Sequence, residues 1–426
     1  MTVGTGACVG WPPLYVALTH VTEGRVDNLQ GFEGRTMRIE DILSRGAIEA
    51  VQRPIADAAG LPSTAYTSPD FLKQEQDLLF APGWIYVGQA AALARPGDGQ
   101  PVEVAGRPLI LLRNRAGEIK AFHNVCSHRN ALLSREPFGG RPTITCPYHS
   151  WTYDLDGRLI RTPHIGGQGI HKCAGIEPQD LGLRPVRIES WAGLMFVNLT
   201  GDAPALAAWL KPLTDRWRAY DFSQLRHGGG RSYELRTNWK HAVENYLESY
   251  HLPWVHPGLN SYSRMSDHYG FIAGPDAGGQ GTTVYAPGSK DGQALPAMAL
   301  PEDQVTRGEY PVLYPNLLTG IQADHFYLIE VVPVSPAVTR ERFDIFFFGD
   351  AAMDDAHRAI REQTIERWND VFVEDIDVVE RLQQGHASPA ATGGRFSPVQ
   401  DQVVYQFQRW VLERMLGREA LASAAE

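Results

Sequence analysis

Cys126-Ser-His128 and, seventeen residues further on, Cys146-Pro-Tyr-His149 are the stretch from which the chain is best read. Each pair joins one thiol and one imidazole across one or two intervening residues, so both side chains of a pair can reach one centre. A tetrahedral zinc ribbon usually draws its first pair as Cys-x2-Cys, whereas a two-iron cluster can seat two Cys on one iron and two His on the other. The mixed pairs favour the second arrangement, with each loop giving one ligand to each iron, and zinc stays as the alternative. Around the pairs, Arg107-Pro-Leu-Ile-Leu-Leu-Arg113 and Ile119-Lys-Ala-Phe122 read as short strands. Arg115-Ala-Gly-Glu118, Gly139-Gly140 and Asp156-Gly157 read as turns. A small antiparallel β domain with the four ligands at its loop tips follows.

The whole chain has 426 residues, 43% hydrophobic and 21% charged, and this allows two or three domains of ordinary globular composition. Cys8, Cys126, Cys146 and Cys173 are too few for a disulfide framework and fit a reducing, cytoplasmic setting. No apolar run has transmembrane length, and a formal net charge of −10 argues against nucleic acid. Between Glu103 and Arg161, however, nine Lys or Arg face five acids. That local excess is either a solvated face or a docking patch for an acidic electron donor.

Taken in order, residues 1–36 read as a poorly ordered extension, with Met37 as an alternative start. A helical segment at 37–82 includes a helix opened by Ser68-Pro69 and closed by Pro82-Gly83. The β domain spans 83–199 and a second domain 200–426. In the latter, strands are expected at 232–237, 282–286, 310–321, 326–333 and 342–348. Helices are expected at 205–218, 351–384 and 401–416, and a mobile loop at Gly274–Leu300.

A second metal site is suggested by the run from Asn238 to His256. Glu244, Glu248 and His251 fall at i, i+4 and i+7, on one face of a predicted helix, and Pro253 interrupts it so that His256 swings back toward His251. Two imidazoles so placed need one carboxylate to form the facial triad of a non-haem iron(II) oxygenase. Glu374, Asp375, Asp377 and Glu380, set among Val371, Phe372, Ile376, Val378 and Val379, are the candidates. Such an acidic run is also what a solvated helix face looks like.

Together these residues resemble the catalytic α subunit of a Rieske non-haem iron oxygenase over roughly residues 60–416. The resemblance implies an α+β chain, with an N-terminal all-β Rieske [2Fe-2S] domain and a C-terminal helix-grip domain whose antiparallel sheet folds around a long helix. It implies that Cys126, His128, Cys146 and His149 hold the cluster, that His251, His256 and Asp375 hold mononuclear Fe(II), and that Asn245 lies near the iron. Glu248 stands where most members carry Asp, as the bridge from one chain's cluster to the next chain's iron. A head-to-tail homotrimer is implied too, as are O2 and electrons from a NAD(P)H-dependent reductase, with or without a ferredoxin.

The first half of the chain is similar to the branch of choline, glycine betaine and carnitine monooxygenases. The implied substrate is therefore a quaternary ammonium compound, oxidised with N-demethylation or C–N cleavage. Tyr246, Tyr250, Trp254, Tyr310, Tyr314, Phe326 and Tyr327 are candidate faces for its cation. Aromatic-ring hydroxylation is the alternative within the class. A Rieske electron-transfer or sensor protein is the alternative outside it.

Overall fold

A computed structural model describes residues 38–287 and 294–417. The expected extension at 1–36 and the alternative start at Met37 lie outside these residues, as does part of the expected loop at Gly274–Leu300. The chain divides into two compact units, one being Val87–Ile188 and the other built from the stretch up to Tyr86 and from Glu189 onward. The second unit thus takes in the helical segment set apart at 37–82 and both ends of the β domain expected at 83–199. The reason is packing: Trp84, Tyr86, Leu194 and Phe196 are buried in the second unit's core with Leu206, Leu210, Leu213 and Phe326.

The helices before the first unit are α1 (Ile39–Ile42), α2 (Arg45–Gln52), α3 (Thr64–Thr67) and α4 (Pro69–Glu75). Ser68 caps α4 by accepting the Phe71 N–H at 3.2 Å, with proline in the first turn. A π turn, Gln76–Phe80, carries it on. The strand β1 (Ile85–Gln89) leads into the first unit. There β2 (Gly99–Val104), β3 (Arg107–Arg113) and β4 (Ile119–His123) pair antiparallel. Leu109 to Leu112 are all fully buried, which explains why β3 reads as an unbroken apolar run instead of alternating. The short strands β5 (Ile144–Thr145), β6 (Thr152–Tyr153) and β7 (Leu159–Arg161) form a second small sheet, also antiparallel. Then β8 (Pro185–Trp191) returns beside β4, and β9 (Leu194–Asn198) follows.

The second unit begins its own run with α5 (Leu206–Arg216). Its seven-stranded sheet has the order β10-β16-β15-β14-β13-β12-β11, antiparallel throughout. These strands are β10 (Leu225–Leu235), β11 (His268–Ile272), β12 (Ala277–Thr282), β13 (Gly308–Leu313), β14 (Leu317–Ile321), β15 (His325–Ser335) and β16 (Val338–Phe348). Short helices α6 (Trp239–Tyr246), α7 (Leu252–Val255) and α8 (Pro257–Asn260) interrupt the sheet, and α9 (Arg358–Gly385) and α10 (Gln402–Met415) follow it. At 1.5 Å per residue α9 is about 42 Å long. Trp368 and Phe372 on α9 pack on Tyr327 and Phe343 of the sheet, at ring distances of 4.6 and 5.1 Å.

One expectation fails instructively. The Gly-rich stretch read as the start of a mobile loop contains β12, Ala-Gly-Gly-Gln-Gly-Thr, buried at every residue. A Cβ on Gly281 would come within 2.7 Å of the Tyr269 ring, and one on Gly279 would strike the Pro311 backbone. The glycines therefore serve close strand approach and not flexibility. The strand expected at 282–286 is this one, shifted toward its N-terminal side, and β11 had no counterpart in the sequence reading.

Candidate metal centres

The two Cys/His pairs occupy matching turns. Cys126 N–H donates to Ala131 O at 2.9 Å and Asn130 N–H to Cys126 O at 3.0 Å. Likewise Cys146 N–H donates to Trp151 O at 2.8 Å and Ser150 N–H to Cys146 O at 3.1 Å. Each turn closes on a left-handed residue, Asn130 with φ 57° and Ser150 with φ 58°. The His128 and His149 rings come to 4.6 Å, while Trp151 of the second turn stacks on His128 at 4.6 Å and 7°. Tyr153 OH lies 3.2 Å from Cys126 Sγ and accepts the Ser127 N–H at 3.0 Å. Both thiols are buried, and burial holds that of Cys126 above its usual range, a cost that a bound cation removes. Burial also lowers the affinity of His128 for a proton, and its Nδ1 is buried with no hydrogen-bond partner. A buried lone pair of that kind suits a metal.

In the second unit, His251, His256 and Asp375 bring one ligand atom each to within 4.8 Å of one another. The helix expected to carry Glu244, Glu248 and His251 on one face ends earlier, because α6 stops at Tyr246 and α7 starts at Leu252. Glu248 and His251 sit in the turn between, so the break precedes Pro253, which instead opens α7. Gln280 on β12 supports the unwound turn, its amide donating to Tyr246 O at 3.1 Å and Glu248 O at 2.8 Å. Glu244 points away from the triad and accepts from Tyr66 OH at 2.8 Å, with burial pushing its carboxyl up to about 7. The base of α6 is fixed by a buried pair, Lys240 Nζ to Glu75 Oε1 at 2.6 Å, with Trp239 Nε1 donating to Glu75 Oε2 at 2.9 Å.

The acids of α9 separate by direction. Asp375 Oδ1 lies 2.9 Å from His256 Nε2 and 3.8 Å from His251 Nε2. Glu374 accepts from His256 Nδ1 at 2.7 Å, Asp377 pairs with Arg381 on an exposed face, and Glu380 accepts the Arg236 N–H. Glu248 does for His251 what Glu374 does for His256, accepting from its Nδ1 at 2.6 Å. With both Nδ1–H groups so engaged, each Nε2 presents a lone pair inward, toward a carboxylate oxygen that is itself buried and makes no hydrogen bond. Acceptors facing acceptors call for a cation between them. Even without one, Asp375 and Glu374 overcome the opposing effect of burial and raise the proton affinity of His256. The donor set of two His and one carboxylate fits iron(II), and the carboxylates behind both rings are the usual supports of metal-bound His. Glu374 stood in the sequence only as a candidate ligand, and its part as partner of His256 was missed, as was Gln280. Each ligating His needs a partner on its other nitrogen, and that requirement calls for further acceptors near the triad without saying which acid of α9 supplies one.

A cavity of about 40 Å³ adjoins the triad, walled by Tyr246, Tyr310, Tyr327, Trp368 and Phe372, with Asn245 and Gln280. Of the seven aromatics put forward as cation faces, Tyr246, Tyr310 and Tyr327 line it. Tyr250 and Trp254 are exposed, Tyr314 packs on Phe407 and Trp410, and Phe326 faces the other core. Alternation explains the last: Phe326 and Tyr327 are neighbours on one strand and point to opposite faces.

Residues 83–173 match the family described as Rieske [2Fe-2S] domain, and residues 222–417 match that described as ring hydroxylating alpha subunit (catalytic domain). The chain is 27% identical over 393 residues to the glycine betaine monooxygenase oxygenase subunit of Chromohalobacter salexigens, covering 84% of this chain and 86% of that protein. It is 27% identical over 342 residues to the carnitine monooxygenase oxygenase subunit of Escherichia coli K12, covering 79% and 87%. Its fold matches the crystal structure of the quaternary ammonium Rieske monooxygenase CntA with L-carnitine, at TM-score 0.71 and 24% identity over 86% of this chain and 98% of that one. No helix among the described residues is long and apolar enough to cross a membrane. Two successive family matches, relatives aligned across most of the chain and donor sets suited to each centre lead to one assignment: the chain belongs to the Rieske non-haem iron oxygenases, as an α subunit with a Rieske [2Fe-2S] cluster and a mononuclear iron.

Proposed function

We propose that the chain monooxygenates a small quaternary ammonium or N-methylated compound at a carbon next to nitrogen. In this reading Cys126, His128, Cys146 and His149 hold the cluster, and His251, His256 and Asp375 hold the iron. The observation that carries it is the cavity beside the triad, which offers five aromatic side chains and no lysine or arginine among its described lining. An anionic substrate would find no lysine or arginine partner in that lining, whereas a cation gains roughly 0.5–2 kcal/mol from each aromatic face it meets. The relatives named for glycine betaine and carnitine support the same class.

When bound, the cluster supplies electrons and the iron supplies open positions for O2. The chain's own residues do the rest. Glu248 and Glu374 fix the tautomer of each His, and Tyr246, Tyr327 and Phe372 exclude water from the reacting C–H bond. One oxygen atom enters the substrate. The other leaves as water, with two electrons from NAD(P)H, delivered by a reductase, and two protons. A carbinol formed on an N-methyl group then separates into amine and formaldehyde. Glu248 has a second role here, bridging His251 to His149 of a neighbouring chain in a head-to-tail trimer. Arg129, set 5.7 Å from the exposed Tyr148 ring, marks a face suited to an acidic donor.

The test is NADH and O2 consumption with a surrogate reductase, across choline, glycine betaine, carnitine and a set of aromatic acids. Stimulation by a cation, with product in step with NADH, is expected. Tight coupling to an aromatic acid and none to any cation would overturn the proposal in favour of ring hydroxylation.

A further inference from the structure

Along β16, residues of alternate parity face opposite sides of the sheet. Arg340, Arg342 and Asp344 lie on one side, and their charges are matched there: Arg340 with Glu234 at 3.3 Å, Arg342 with Glu330 at 3.1 Å, and Asp344 with His227 at 2.8 Å. On the other side Phe343, Ile345 and Phe347 are fully buried, with Phe343 against Phe372 of α9. Glu341 shares that apolar side. Among the described residues no hydrogen bond or ion pair reaches its carboxyl, although it is only partly exposed. It lines a small cavity of about 20 Å³ together with Asp375, Asn245, Tyr246, Phe372 and Val379. Asp375, Asn245, Tyr246 and Phe372 also wall the cavity at the triad. Glu341 thus lines, from the sheet, a cavity that Asp375 lines from α9 and that shares four wall residues with the cavity at the triad.

A carboxyl on an apolar wall needs a cation or a hydrogen-bond partner, and the described residues supply neither. Iron held by the triad would offset the charge of Asp375, while burial, and Asp375 after it, push the Glu341 carboxyl up to about 8, a shift that a further cation beside it would reverse. We infer that Glu341 is the specificity-determining counter-charge for the substrate's cationic nitrogen, set behind the aromatic faces. A trimethylammonium group has no N–H to donate, so a carboxylate without hydrogen-bonding geometry is a sufficient partner for it. The inference rests on the proposed substrate class and assigns within it the residue that separates charge from shape.

The decisive comparison is between a cation and its neutral twin. Calorimetric titration of the iron- and cluster-loaded enzyme would use choline, glycine betaine and carnitine, each beside the analogue in which carbon replaces the quaternary nitrogen. The wild type is expected to prefer at least one cation over its twin. Glu341→Gln should reduce that preference by roughly tenfold or more, with binding of the neutral twin unchanged. Glu341→Asp, which keeps the charge, should retain more of the preference than Gln does. Wild-type preference in Glu341→Gln would overturn this role while leaving the substrate class standing, and so would an Asp variant worse than Gln, because shape alone would then be at work. A wild type indifferent to charge for all three pairs would overturn the substrate class and this inference with it.

Discussion

Cys126 and Cys146 head two short turns whose backbone hydrogen bonds correspond pair by pair, so each turn makes its half of the cluster site alone. The iron triad is assembled otherwise. His251 and His256 flank α7, while Asp375 sits mid-way along α9, and 118 residues separate His256 from the Glu374 that orients it. The first site stores its geometry in local backbone. The second borrows its geometry from helix packing on a sheet, from the buried Glu75–Lys240 pair and from Gln280. Damage to packing should therefore reach the second site and spare the first.

The harshest test is Asp375→Ala, expected to remove one iron per chain and all oxygenation while the cluster keeps its reduced-state electron paramagnetic resonance signal. Asp377→Ala, at an exposed position paired with Arg381, should keep full iron and activity. The reverse result would show that the wrong acid had been chosen. Next comes Glu248→Gln, expected to leave cluster and iron in place yet abolish most turnover, because a neutral amide is a poorer acceptor for both His partners. Prereduced cluster that reoxidises at the wild-type rate with substrate and O2 would exclude the bridge.

Lys240→Ala leaves Glu75 buried and unpaired, so a loss of about 3–5 kcal/mol is expected. In chemical denaturation the iron should leave before the cluster signal fades. Loss of both together would mean that the two sites do not differ in the way described. Glu374→Gln should weaken iron binding roughly 10- to 100-fold through His256 alone, measurable by competition with a chelator. The mildest change is Tyr153→Phe. Removing a hydroxyl at 3.2 Å from Cys126 Sγ should lower the cluster potential by roughly 20–60 mV, the equivalent of one ordinary hydrogen bond. An unchanged midpoint in voltammetry would show that the hydroxyl serves Ser127 instead.

The spacing Cys126-x-His128 and Cys146-x2-His149 was legible because a turn of five residues is dictated by its own sequence. His251 and His256 were legible as a pair but not in their setting: α6 ends sooner than its periodicity suggests, since Gln280 on a distant strand receives the carbonyls that the helix gives up. The acidic run on α9 exposed four candidates, and resemblance to the family picked Asp375. Nothing local distinguishes Glu374 as the partner of His256, because adjacent helical residues point about 100° apart and only packing decides where each direction leads.

By itself the sequence determined two metal-binding patterns, because ligand type and short-range spacing are local properties, and the resemblance those patterns carry implied an α+β chain and the class of chemistry. Tertiary structure alone decided that Gly-rich β12 is a buried strand, that Tyr246, Tyr310 and Tyr327 wall the cavity at the triad, and that Glu341 lines a second cavity beside Asp375. Each of these depends on which face of a strand or helix meets another element far along the chain, and pairing register, not composition, sets that.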